Sequence, residues 1–193
     1  KGNTDFLNSK EILDKISLDQ EVIQKILHYT LLSDKYLFIT KTLWPFVQED
    51  DLGLVKYDYY CYVLKQYDFS EKTARYICLK ERDLKILNVG LLGKCGSIKA
   101  VDFLINAYGL GINSVIEGIA TCCDEEQIPI MKYLLSRLND LQKNSALNKF
   151  ISAYLDNYPR DLNLVAFALR QKNDWNSEVL EHENIKKLML FNN

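Results

Sequence analysis

Proline occurs three times and glycine eight times in 193 residues. That is too few turn-formers for a chain of many short strands and tight hairpins. No run of strict apolar–polar alternation stands out either, which excludes an all-β fold. No apolar stretch reaches the roughly 20 residues that a membrane-spanning helix needs. The best one, "DKYLFITKTLWPFV", is broken by Lys41 and stopped by Pro45. No signal peptide is visible, and the first residue is Lys1 rather than Met, which reads as a piece cut from a longer protein or a chain trimmed to its ordered part. An excess of one charge is missing too. The 24 Lys and Arg and the 26 Asp and Glu are interspersed, with a net charge of -2. This argues against the basic stripe that a nucleic-acid binder usually carries. Cys61, Cys78, Cys95, Cys122 and Cys123 show no C-x-x-C spacing, and His28 and His182 are remote from them in sequence. Nothing here has the spacing of a zinc site. The thiols are expected to be reduced and packed as small hydrophobes, in a cytoplasmic or nuclear protein. No metal or cofactor is expected.

What is present is helical spacing. Hydrophobic residues make up 48% and charged residues 26%, an ordinary balance for a soluble globular chain. "EVIQKIL" places Val22, Ile23, Ile26 and Leu27 on one face, and "PIMKYLLSRL" does the same with Ile130, Met131, Leu134, Leu135 and Leu138. Ser17 with Gln20, and Ser114 with Glu117, have capping-box spacing. Asp124 ahead of Glu125-Glu126 suits a positive helix end, and Pro159 suits a first helical turn. The pattern predicts helices over 9–16, 20–32, 34–47, 55–67, 70–80, 84–94, 97–107, 114–122, 126–138, 141–155, 160–170 and 177–191.

Three of these segments align: "IKAVDFLINA", "IPIMKYLLSR" and "LNLVAFALRQ". Val101, Met131 and Val165 fall together, as do Phe103, Tyr133 and Phe167, at steps of 30 and 34 residues. Each follows another helical segment: "ILNVGLLGK", "SVIEGIATC" and "LNKFISAYL". A period in this range is the signature of stacked helix pairs. With Gly96 between helices, "VDFLI" in the second helix, "GLGIN" after it and Asp174-Trp175-Asn176 closing the last copy, residues 84–176 resemble degenerate ankyrin repeats. The Thr-Pro-Leu-His tetrapeptide of that family is absent from every copy. The resemblance implies a short right-handed α-solenoid that recognises other proteins on an extended face. "GKCGSIKAVDFL" is also similar to the helix pair of pentatricopeptide repeats, which would imply single-stranded RNA binding. Further upstream, Leu18, Glu21, Val22, Ile26, Leu27, Tyr29, Leu32, Leu37 and Trp44 resemble an F-box, with Asp19 where that family has proline. That likeness would imply docking on a ubiquitin-ligase adaptor subunit.

Candidate chemistry is sparse. Gly109 and Gly111 follow a helix, not a strand, and no third glycine opens the next helix, so a helix C-cap is expected rather than a phosphate loop. Cys122-Cys123 is followed by Asp124, Glu125 and Glu126, which would hold the thiols protonated. A Cys–His pair with His28 or His182 has no identifiable orienting partner. Glu49, Asp50 and Asp51 lack calcium-loop spacing and read as a solvated linker. Tyr57, Tyr59, Tyr60, Tyr62 and Tyr67 crowd one segment and divide between core and partner surface. The candidate protein-binding residues are Trp175, Tyr108, Tyr57 and Trp44. The chain is thus expected to be all-α, with an N-terminal helical section over 1–54 and a helical-repeat domain over 55–193. It is expected to act as a scaffold or adaptor for another protein, not as an enzyme.

Overall fold

The computed structural model describes residues 19–48, 55–80, 88–156, 160–172 and 174–190. Every regular element among them is an α- or 3-10 helix. None is long and apolar enough to cross a membrane. Backbone contacts divide the chain into two compact units, Lys1–Leu84 and Lys85–Asn193. The 54/55 boundary expected from sequence adjoins residues 49–54, which lie outside the described residues, as do the helix over 9–16, Leu18, the Glu49-Asp50-Asp51 cluster and Pro159.

The first unit is built from α1 (Gln20–Thr30), α2 (Leu37–Leu43), α3 (Val55–Lys65) and α4 (Glu71–Lys80). Helix α1 starts at Asp19, whose carboxylate accepts the Glu21 N–H at 2.9 Å. The Ser17 half of the expected Ser17–Gln20 capping box lies outside the described residues, and the Gln20 side chain has long-range partners. Its side-chain amide donates to Phe46 O and accepts from Gln48 N, both at 3.0 Å. A local signal in the sequence is therefore a long-range clamp in the fold. Ile23, Leu27 and Leu31, at i, i+4 and i+8, are fully buried. The predicted helix over 34–47 breaks into a 3-10 turn Asp34–Tyr36, then α2, then a 3-10 turn Trp44–Phe46. Pro45 opens the last turn, where its missing N–H removes no helical bond. Two polar pairs link elements of this unit, the first buried and the second reaching the surface at Asp34. Thr40 Oγ1 donates to Thr30 Oγ1 at 3.2 Å, and Ser70 Oγ donates to Asp34 Oδ1 at 2.6 Å ahead of α4.

The second unit begins with a 3-10 segment, Asn88–Lys94, and continues through α5 (Ile98–Tyr108), α6 (Ile112–Ala120), α7 (Ile128–Ser136), α8 (Asp140–Leu155), α9 (Leu162–Arg170), α10 (Ser177–Glu181) and α11 (Glu183–Leu190). Packing follows chain order with a skip. Helix α6 lies against both Asn88–Lys94 and α8, while α5 lies against α7 and α8 against α9. Ser97 caps α5 by accepting the Ala100 N–H at 3.2 Å. Gly109 ends α5 in the left-handed region, with φ 61° and its N–H on Ile105 O, as the C-cap reading expects. Gly111 does not share that role. Its backbone is extended and it opens α6, so the two glycines stop one helix and start the next. Ser114 falls inside α6, which removes the expected Ser114–Glu117 box. Ahead of α8 a reciprocal box does form between Asn139 and Gln142, each bond 3.0 Å.

One seam of this unit has no tolerance. A Cβ on Gly93 would lie 2.1 Å from Gly118 O and 2.8 Å from Cys122 N. A Cβ on Gly118 would lie 2.6 Å from Leu92 Cβ. Asn88–Lys94 and α6 approach backbone to backbone, which requires glycine on each side.

Candidate functional site

The four aromatic candidates do not converge. Trp44 is 2% exposed, its ring set edge-on to Tyr59 at 6.2 Å. Trp175 is 8% exposed, and its indole N–H donates to Leu169 O at 2.9 Å. Each indole is spent on the core of its own unit, so neither is displayed to a partner. Tyr108 is half-buried at the end of α5. Tyr57 is on α3, with its side chain outside the described residues. The tyrosine cluster splits as its mixed pattern suggests. Tyr59 and Tyr60 are core, Tyr62 stacks on His28 at 4.4 Å between ring centres, and Tyr67 is 85% exposed.

Cys95 and Cys122 are buried, while Cys61 and Cys123 are half-buried. Cys61, Cys95, Cys122 and Cys123 form no disulfide among the described residues, and the Cys78 side chain lies outside them. Cys95, Cys122 and Cys123 donate to the backbone carbonyls of Leu91, Gly118 and Thr121. Burial pushes the Cys122 thiol up to about 12, the adjacent Cys123 adds to the rise, and Arg160 opposes it. The cause is therefore desolvation, not the acids that follow, which are exposed. Arg160, 37 residues further on, is the neighbour that sequence did not reveal. Its guanidinium donates to Ala120 O at 2.8 Å, sits 3.7 Å from Cys123 Sγ and lies over the Phe150 ring. The Cys122 shift carries a pH signature. Below about 9 the thiol is neutral in folded and unfolded chains alike, and its contribution is fully present. Between 9.0, its ordinary value, and about 12, only the unfolded chain ionises. Stability should then fall by about 1.4 kcal/mol per pH unit from this group. Unfolding free energies of wild type and Cys122→Ala measured from pH 8 upward should converge as the pH rises. Parallel curves would contradict the assignment.

Other clusters are structural. Among the described residues no three His, Cys, Asp or Glu side chains gather as for a metal ion. His28 is held against tyrosines, and the His182 carbonyl accepts the Ile185 and Lys186 N–H groups at the start of α11. Between α5 and α7, the Tyr133 hydroxyl donates to Asp102, and Arg137 Nη1 lies 2.7 Å from that hydroxyl and 3.2 Å from Asp102 Oδ1. The Asp102 bond, helped by partial burial, holds the Tyr133 hydroxyl protonated to a higher pH than is usual for a phenol.

A concave feature of the second unit lies elsewhere. A groove of about 490 Å³ opens between α7, α8 and the segment following α9. Helix α7 contributes Lys132, Leu135 and Ser136. The first turns of α8 contribute Asp140, Lys143, Asn144 and Leu147, presented by the Asn139–Gln142 box. Gln171, Lys172 and Asp174 close the third side. Trp175, buried behind them, serves as a platform: the Lys172 ammonium sits 4.9 Å from its ring centre. The Lys172 ammonium also donates to Asn148 Oδ1 at 3.0 Å, and the Lys132 ammonium lies 5.3 Å over the Phe167 ring. Sequence reasoning singled out Trp175 but none of these lysines. They are separated along the chain and join only when α7, α8 and α9 pack. Against family models, curated proteins and solved structures, the chain finds no match.

Proposed function

We propose that residues 88–190 form a short stack of ankyrin-like helix pairs that serves as a protein-recognition module. The observation that carries this reading is a recurrent burial signature. Ala100, Ile130 and Leu164 occupy equivalent places, as do Val101, Met131 and Val165, then Leu104, Leu134 and Ala168, then Ile105, Leu135 and Leu169. All twelve are buried, the last trio at 8%, 6% and 7% exposure. The same face of α5, α7 and α9 is thus turned inward at steps of 30 and 34 residues. That is what stacked units sharing one continuous core require. Helix α6 packed between Asn88–Lys94 and α8 supplies the matching first-helix row. Such an array presents side chains over a broad surface without a reacting centre, which suits recognition.

The test is capture followed by reconstitution. The immobilised chain should enrich a protein from a lysate of its source cells. That protein, once purified, should bind saturably by calorimetry and cross-link to residues within 88–190. Enrichment of single-stranded RNA instead, with affinity that drops steeply as salt rises, would replace this reading with the RNA-binding one. No saturable partner of either kind would overturn both.

A further inference from the structure

We propose that the groove between α7, α8 and the segment after α9 receives an acidic stretch of a partner protein, whose carboxylates dock on Lys132, Lys143 and Lys172. The proposal rests on the protein-recognition reading and gives the partner a chemistry. Lys172 makes the strongest case. Its side chain is only 9% exposed, yet its paired anion, Asp174 Oδ1, is 4.0 Å away on a side chain that is 80% exposed. An ammonium withdrawn from water needs both hydrogen bonds and countercharge. Asn148 Oδ1 at 3.0 Å and the Trp175 ring supply one neutral acceptor and a π-face. An ammonium has three N–H donors, and the carboxylate beside this one, Asp174, stands 4.0 Å away on a water-screened side chain.

The other two cations are available for exchange. Lys143 Nζ lies 3.3 Å from Asp140 Oδ1, but the Asp140 side chain is 99% exposed, so water screens the pair and it contributes little. Lys132 is exposed, and its ammonium rests on the Phe167 ring rather than on an acid. The groove thus holds three lysines against two aspartates, in a chain whose net charge is -2. The excess is one positive charge, and both aspartates are largely exposed to water, so the lysines bias the groove toward carboxylates.

Size and charge distribution select the occupant. About 490 Å³ falls within the range of clefts that seat a compact ligand. An extended chain advances at most ~3.3–3.6 Å per residue, so a few residues fill it. Asn144, Gln171 and Ser136 on the walls can bond the backbone of such a segment. A nucleic acid would carry its phosphates well beyond the groove and would need a basic surface to follow them, which a chain of balanced, interspersed charge does not provide.

The test uses the full chain and a fluorescein-labelled peptide of alternating Glu and Gly, with its Gln–Gly counterpart, followed by fluorescence anisotropy. The Glu peptide is expected to bind, more weakly as salt rises, and the Gln peptide is not. Lys132→Gln combined with Lys143→Gln should weaken the Glu peptide about tenfold or more while leaving the thermal unfolding midpoint unchanged. Equal binding of the two peptides would overturn the proposal, as would an unchanged affinity in the double variant. Displacement of the Glu peptide by a lower concentration of oligouridylate would also overturn it. If the Glu peptide fails while the partner captured above still binds, the groove assignment falls and the recognition reading stands. If no partner is captured either, both fall.

Discussion

Gly93→Ala should lower the stability of the 85–193 unit by about 3 kcal/mol, the upper end for forcing extra volume into a packed interior. The new methyl would lie 2.1 Å from Gly118 O and 2.6 Å from Thr121 Oγ1. A carbonyl oxygen inside a helix cannot swing aside as a flexible side chain would, so Asn88–Lys94 and α6 must separate. That separation exposes Leu92 and Ile119, both fully buried. Gly118→Ala should cost less, because alanine favours a helix interior by about 1 kcal/mol over glycine, which partly offsets the clash with Leu92. The chain offers its own probes, since its two tryptophans, Trp44 and Trp175, report on different units. In a Trp44→Phe background, the urea midpoint followed by Trp175 emission should shift sharply with Gly93→Ala. A Gly93→Ala protein as stable as wild type would mean that the seam is not packed as described.

Trp175→Ala should cost about 3–5 kcal/mol, the range for truncating a buried aromatic. Three losses combine: the packing of a ring that is 8% exposed, the hydrogen bond to Leu169 O, and the face under the Lys172 ammonium. Trp175→Phe keeps the ring and most of the packing but loses the N–H donor, so it should fall well short of the alanine cost. The pair of variants separates platform from hydrogen bond. Phenylalanine should retain acidic-peptide binding, and alanine should lose it even at temperatures where the unit is still folded. A Trp175→Ala protein of undiminished stability would show that the indole is a surface group after all, as its position in a loop suggests from sequence.

That tryptophan marks where reading the chain stops being sufficient. Helix positions were legible because amphipathic spacing is local. The expected segments at 20–32, 55–67, 70–80, 97–107, 141–155 and 160–170 lie within a few residues of α1, α3, α4, α5, α8 and α9. The recurrence of Val101, Met131 and Val165 was legible for the same reason, and all three are fully buried. Caps were less secure. Gly109 was readable because a left-handed residue after a helix favours glycine. Ser114–Glu117 misled because the same spacing also occurs by chance inside a helix, and nothing local distinguishes the two cases.

By itself, then, the sequence determined the helical class of the described residues, the approximate span of several helices and the recurring buried face of α5, α7 and α9, since each of these depends on neighbours within a few residues. Tertiary structure alone decided which distant groups meet: Gly93 with Gly118, Cys123 with Arg160, Gln20 with Phe46 and Gln48, and Lys132 with Lys143 and Lys172 around one groove. It also decided that both tryptophans face inward. The physical reason is range. Backbone hydrogen bonds and side-chain periodicity act over one or two helical turns. Close backbone approach and the clustering of like charges are set instead by how whole helices pack, and no short window of residues contains that information.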